Sequence, residues 1–162
     1  DGSWSRGLGD VYKRPALRKF YHMASGQMNI GLIRDKPADA DLLSDLPDPE
    51  PLGAWMSDAD LDFYVSEFSR SGFRGPLNYY RNHNLTWELT EGAPTQIQQP
   101  ALFVAGDRDG VIAMGAQALE NMPTYVTDLR VNALIPGIGH WTQQEAAEAT
   151  NEYLLDWLAS LD

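Results

Sequence analysis

Two apolar runs late in the chain, ALFVAG at 101–106 and LRVNALIPG at 129–137, alternate with helix-forming segments. The first run is bounded by Pro100 and Gly106 and suits a strand buried on both faces. AMGAQALENM follows as helix, and TQQEAAEATNEYLLDWLASL closes the sequence with Ala146, Thr150, Tyr153, Leu154, Trp157, Leu158 and Leu161 on one helical face. Thr142 and Glu145 have the spacing of a capping box at its start. Strand, helix, strand, helix in that order predicts the edge of a parallel α/β sheet. Such sheets are covered on both faces and need more than two strands to be stable. The tail therefore reads as the end of a larger sheet whose beginning is not in the sequence.

The upstream part has a different character. RPALRKFYHMASG places Pro15 at a plausible first helical position and Gly26 at a C-terminal cap, with Leu17, Phe20, Tyr21 and Ala24 at helical spacing between them. From Gln27 to Gly53, prolines and aspartates interrupt short apolar pairs. A structureless stretch of that length is uncommon inside a domain and often serves as a lid. WMSDADLDFYVSEFSRSGF is the clearest helix start. Ser57 can cap it, Asp58, Asp60 and Asp62 favour its positive end, Leu61, Tyr64, Val65 and Phe68 line one face, and Gly72 ends it. GPLNYYRN is a second short helix with Pro76 in its first turn, and TEGAPTQIQQP is a linker. Residues 1–10 read as loop. The expected division is a helical, lid-like segment over 1–91 and a strand-bearing segment over 92–162.

Composition removes several function classes. Twenty-three acidic against twelve basic residues give a net charge of −11 over 162 residues, which repels phosphate backbones and anionic lipid heads. No nucleic-acid or membrane partner is therefore expected. No apolar run approaches the roughly 18 residues of a membrane-spanning helix, so a soluble protein is predicted. Cysteine is absent, which excludes disulfides and thiolate chemistry. The opening DGSWSRGLGD has neither the basic nor the apolar region of a signal peptide, and a cytoplasmic setting is expected.

Ligands of open α/β sheets bind beyond the C-terminal ends of the strands. Asp109, in GDRDGV, follows the first strand, and His140, in PGIGHWTQQE, follows the second. A carboxylate and an imidazole on one rim are the orienting half of an acid–base relay. Asp107 is a rival for the carboxylate, and spacing does not separate the two. The bland reading makes His140 a loop histidine and Asp109 a turn former. Tyr79, Tyr80 and Trp87 read by default as aromatic packing of a helical layer. DRDG lacks the remaining ligands of a calcium loop, and His22, His83 and His140 lack metal-ligand spacing, so no metal and no cofactor are expected. Asn84–Thr86 fits a glycosylation acceptor. A G-x-S-x-G nucleophile elbow is missing, so the relay lacks a nucleophile.

Three stretches, WMSDADLDFYVSEFSRSGFRGPLNYYRNHNLTWEL, PALFVAGDRDGV and GIGHWTQQEAAEATNEYLLDWL, occur in one order over about residues 50–161. Together they resemble the soluble epoxide hydrolases of the α/β-hydrolase superfamily. The first looks like the second half of that family's cap domain, and the other two look like the last strands and helix of its core. The resemblance implies an α/β fold, specifically the C-terminal part of an α/β-hydrolase. Tyr80 matches the cap tyrosine that hydrogen-bonds the epoxide oxygen, Asp109 the relay carboxylate, and His140 the base that activates water. The implied reaction opens an epoxide through an aspartyl ester, which water hydrolyses to a vicinal diol.

The departures define the rest of the expectation. The family's nucleophilic aspartate, its His-Gly-x-Pro oxyanion loop and its first cap tyrosine have no counterpart here, and Tyr12 and Tyr21 sit in no matching motif. The chain is thus expected to be inactive alone. Its implied partners are a small apolar epoxide, water and an N-terminal half carrying the nucleophile; homodimerisation is left open. A haloalkane dehalogenase-like hydrolase is the alternative enzyme, disfavoured by GPLNYYRN. A non-catalytic regulatory or partner segment of the same fold is the alternative of another class.

Overall fold

The computed structural model describes residues 10–28, 37 and 39–161; of the loop expected over 1–10, residues 1–9 lie outside them and Asp10 is already helical, and 29–36 and 38 of the expected lid also lie outside. By compactness the described residues form two units. One holds those up to 19 together with 48–94, and the other those of 20–47 and 95–161. The division by sequence character, at 91/92, kept 20–47 with the helical segment; compactness groups them with the strands.

In the first unit, α1 (Asp10–Met23) contributes its part up to Lys19. It starts earlier than the sequence predicts, so Pro15 lies inside the helix and not at its first position. An interior proline costs a helix about 3 kcal/mol. Side-chain contacts offset that cost. Leu17 is buried, which is worth roughly 1.5–3 kcal/mol for a leucine. Arg14 pairs with Asp58 at 2.7 Å and with Asp62, and Arg18 reaches Asp48 at 2.5 Å and Glu50 at 2.8 Å. The Arg14 pairs are exposed and add little. The Arg18 guanidinium is mostly buried, and its hydrogen bond holds the Asp48 carboxyl below the usual carboxylate range.

Helix α2 (Asp58–Ser71) begins where expected. Ser57 accepts from the Asp60 N–H and the Asp60 side chain accepts from the Ser57 N–H, a capping box that satisfies two donors. Leu61 is buried on its inner face, and the helix ends at Gly72 with φ 68°. Helices α3 (Arg74–Arg81) and α4 (His83–Leu89) follow. The glycosylation triplet at Asn84 lies within α4, not on the surface loop such an acceptor favours.

The second unit contains the sheet. β1 (Ala101–Gly106) and β2 (Leu129–Ile135) pair in parallel, with Leu102 opposite Val131 and Gly106 opposite Ile135. Between them run α5 (Gly110–Met114) and α6 (Ala116–Tyr125), split at Gly115 where a single helix was expected. β1 is only half-buried until Ala105 and Gly106, against the expectation of two covered faces. Among the described residues it has one partner strand, so much of its surface stays open. β2 alternates: Val131, Ala133 and Ile135 are at least partly covered, while Arg130, Asn132 and Leu134 are exposed. The final helix is also in two pieces, α7 (Thr142–Glu145) and α8 (Ala147–Ala159), and α8 packs against both strands. Its Leu154, Leu155 and Leu158 remain exposed. No helix among the described residues is long and apolar enough to cross a membrane.

The C-terminal end of α1 lies in this unit, and there His22 is buried with no hydrogen-bond partner for Nδ1 among the described residues. Burial disfavours the imidazolium and lowers its pKa below the ordinary 6.5. The unfolded chain binds this proton near 6.5 and the folded chain does not, so His22 leaves stability untouched above that pH and erodes it below. Urea midpoints are expected to fall between pH 7 and pH 5, and His22→Leu to flatten that fall. An unchanged slope in the variant would show that another group titrates.

Candidate active site

Parallel strands deliver their following loops to one rim, and here the loops are joined by short bonds. The Asp107 N–H donates to the Ile135 carbonyl at 3.1 Å, and the Arg108 N–H to the Ile138 carbonyl at 2.9 Å. The Asp107 carboxylate accepts from the Gly137 N–H at 2.7 Å, so this acid holds the backbone of the β2 loop. Asp109 meets the imidazole instead. Its Oδ2 lies 3.0 Å from His140 Nδ1, which separates the two carboxylates that spacing left open.

Asp109 is itself fixed by the helix it starts. It is the N-cap of α5, and its Oδ1 accepts from the Val111 N–H at 2.8 Å. One oxygen thus caps a helix while the other faces the histidine, and the residue is buried. The His140 side chain is nearly half exposed. A carboxylate acceptor at Nδ1 keeps the proton there and leaves the Nε2 lone pair free. Such a ring can take a proton at Nε2, and the resulting imidazolium gains from the adjacent carboxylate.

The two glycines before His140 have different reasons to be glycine. Gly137 adopts φ +79°, a left-handed turn with open space around it. Gly139 is a matter of room: a Cβ there would come within 2.3 Å of the Gly26 nitrogen and 2.5 Å of the Ala24 carbonyl oxygen. The loop therefore touches the turn after α1 backbone to backbone. The His140 N–H donates to the Ala24 carbonyl at 2.8 Å, Trp141 Nε1 donates to the Tyr21 carbonyl at 2.8 Å, and Arg108 donates to the Gly26 carbonyl at 3.0 Å. The Trp141 ring packs on Tyr21 with centroids 4.8 Å apart and meets the His140 ring edge-on at 5.2 Å.

Thr142 and Glu145 do not form the expected capping box. The N-cap of α7 is Trp141, and the Thr142 hydroxyl donates to the Gly139 carbonyl. Glu145 accepts instead from three backbone donors: Gly26 at 2.8 Å, Trp141 at 3.2 Å and Gly139 at 3.3 Å. Of these partners, Gly26 is 119 residues away in the chain, so no local pattern around Glu145 points to it.

Tyr80 belongs to the other compact unit, near the end of α3, with its ring 5.9 Å from that of His83. It is 69% exposed, Tyr79 82% and Trp87 81%, so none of the three serves as the aromatic packing first expected of them. The structure thus brings Asp109 and His140 together and places Tyr80 on an exposed helical surface.

Parallel strands with an acid–histidine pair at their C-terminal rim, preceded in sequence by a helical segment, define a partial α/β-hydrolase fold. No protein-family model matches the chain. Epoxide hydrolase B of Mycobacterium tuberculosis is 45% identical over 114 residues, covering 70% of this chain and 32% of its own length. An epoxide hydrolase from an endophytic Streptomyces superimposes with a TM-score of 0.85 at 35% identity, over 97% of this chain and 50% of that one. Epoxide hydrolase A from Mycobacterium thermoresistibile gives 0.82 at 34% identity, over 98% of this chain and 50% of that one. The chain belongs to the epoxide hydrolase family of the α/β-hydrolase superfamily. It spans about a third of the length of that curated relative and half of those solved structures.

Proposed function

We propose that this chain supplies the water-activating half of an epoxide hydrolase, whose nucleophilic aspartate comes from polypeptide outside it. The observation that carries the reading is the 3.0 Å contact between Asp109 and His140 Nδ1 in a chain of this family. In the proposed reaction a carboxylate oxygen attacks an epoxide carbon and the ring C–O bond breaks. The Tyr80 phenol hydrogen-bonds the developing alkoxide and gives it a proton. Water then attacks the ester carbonyl as its proton passes to His140 Nε2. The ester C–O bond breaks, the leaving alkoxide takes the attacking water's second proton, and the vicinal diol and the carboxylate are released; the proton on His140 returns through solvent to the Tyr80 phenolate. Asp109 stabilises the imidazolium formed in that step.

The partner is supported by surface chemistry. Val111, Met114, Leu134, Leu154, Leu155 and Leu158 are exposed in the strand-bearing unit, large apolar side chains of the kind that another part of a fold covers. Diol formation from an aryl epoxide tests the whole reading. The chain alone is expected to give none, and the chain with the nucleophile-bearing half to turn over. Turnover by the lone chain would overturn the external nucleophile. None from a verified assembly would favour a non-catalytic segment of the same fold.

The role of Tyr80 has its own test. One donor to a developing oxyanion is worth about 2–4 kcal/mol. Tyr80→Phe is therefore expected to slow ester formation roughly ten- to a thousandfold. An exposed phenol makes few contacts to lose, so the thermal midpoint should hardly move. An unchanged rate would remove Tyr80 from the mechanism.

A further inference from the structure

We infer that Glu145 is a positioning residue for His140, acting through the three backbone N–H groups that its carboxylate gathers. Two of them, on Gly139 and Trp141, flank His140 in the chain, and the third, on Gly26, belongs to the turn after α1. Oε2 binds Gly26 and Gly139 together, so a single oxygen joins the histidine loop to that turn. Oε1 holds Trp141. The His140 N–H donates to Ala24, two residues before Gly26, which closes the frame. The imidazole thus hangs from a peptide segment fixed on both sides, and Asp109 approaches it from β1. Without the carboxylate, the N–H groups of Gly26, Gly139 and Trp141 lose this acceptor.

A charge-assisted acceptor of several N–H groups is stronger than a neutral one, and a small displacement of a reacting group costs much rate. A shift of about 1 Å can cost a hundredfold. Glu145 sets the place from which Nδ1 meets Asp109, and with it the direction of the Nε2 lone pair. Its contribution falls on the step that uses this lone pair. The inference rests on the proposed role of His140 for its kinetic consequence only; the geometric part stands on the hydrogen bonds.

The test uses the full protein that contains this chain, with Glu145→Ala, the isosteric Glu145→Gln and the conservative Glu145→Asp. The tautomer of His140 is read from long-range proton–nitrogen correlations of its imidazole, and the ester-forming and ester-hydrolysing steps are resolved by rapid quench. The unaltered protein is expected to show one tautomer, protonated at Nδ1. In Glu145→Ala a mixture should appear, with ester hydrolysis slowed about ten- to a hundredfold and ester formation changed little. Glu145→Gln keeps one oxygen and should fall between, and Glu145→Asp should recover part of the loss. If the alanine variant does not fold, the glutamine variant decides. A folded variant with the single tautomer and an unchanged hydrolysis step would overturn the inference. A tautomer shift in a protein that never turned over epoxide would uphold the positioning role while sinking the enzymatic reading.

Discussion

With His140 replaced by glutamine, the assembled enzyme is expected to stop after its first step and accumulate the alkyl ester. Glutamine offers no lone pair basic enough to take a proton from water, while ester formation needs only the nucleophile and a donor to the epoxide oxygen. Intact-mass measurement should show the protein heavier by one substrate molecule. Loss of a positioned general base slows a step by roughly 10²–10⁴-fold, so the adduct should persist for many normal turnovers. Substrate binding without any adduct would count against the base role. Since His140 is half exposed and its own N–H to Ala24 is a backbone bond, the substitution should leave the fold intact.

Asp109→Asn is expected to have a comparable effect for a reason the helix cap supplies. Asparagine caps helices about as well as aspartate, so its oxygen should stay on the Val111 N–H where Oδ1 is now. The amide NH₂ must then face His140 Nδ1, which has to present a lone pair to it. That puts the ring proton on Nε2, where a base is needed. A carboxylate-to-amide change of this kind costs roughly 10⁴-fold in a serine-protease triad. Ester hydrolysis should fall by roughly 10³–10⁴ with little change in thermal stability. The histidine's nitrogen signals should report the reversed tautomer. An unchanged hydrolysis rate would mean that Asp109 serves only as a cap.

The elements whose residues interact over short distances in sequence were the legible ones. Ser57, Asp60 and Gly72 bracket α2 because caps are made within a few residues. ALFVAG and the LRVNALI run became the paired strands because short apolar segments between turn formers have few other uses. The rim position of Asp109 and His140 follows from their places after those strands; spacing alone does not separate Asp107 from Asp109, the family resemblance points to Asp109, and the Gly137 amide on Asp107 gives the physical reason. Elements with distant partners are less legible in the sequence. Pro15 suits a helix start because its missing N–H is harmless there, yet α1 continues five residues upstream, braced by ion pairs to residues 48–62. Glu145 has the spacing of a local cap yet also binds Gly26, and the C-terminal segment has the periodicity of one helix although it breaks at Ala146.

Order along the chain by itself determined the α/β class of the fold and the rim on which Asp109 and His140 sit. Only the tertiary structure decided what Asp107 does instead, holding the Gly137 amide, and that the turn after α1 supports the loop that carries His140. The physical reason is range. Helix caps and strand periodicity are set by neighbours in sequence, whereas a hydrogen bond between Glu145 and Gly26 exists only after packing has brought together backbone that the chain keeps far apart.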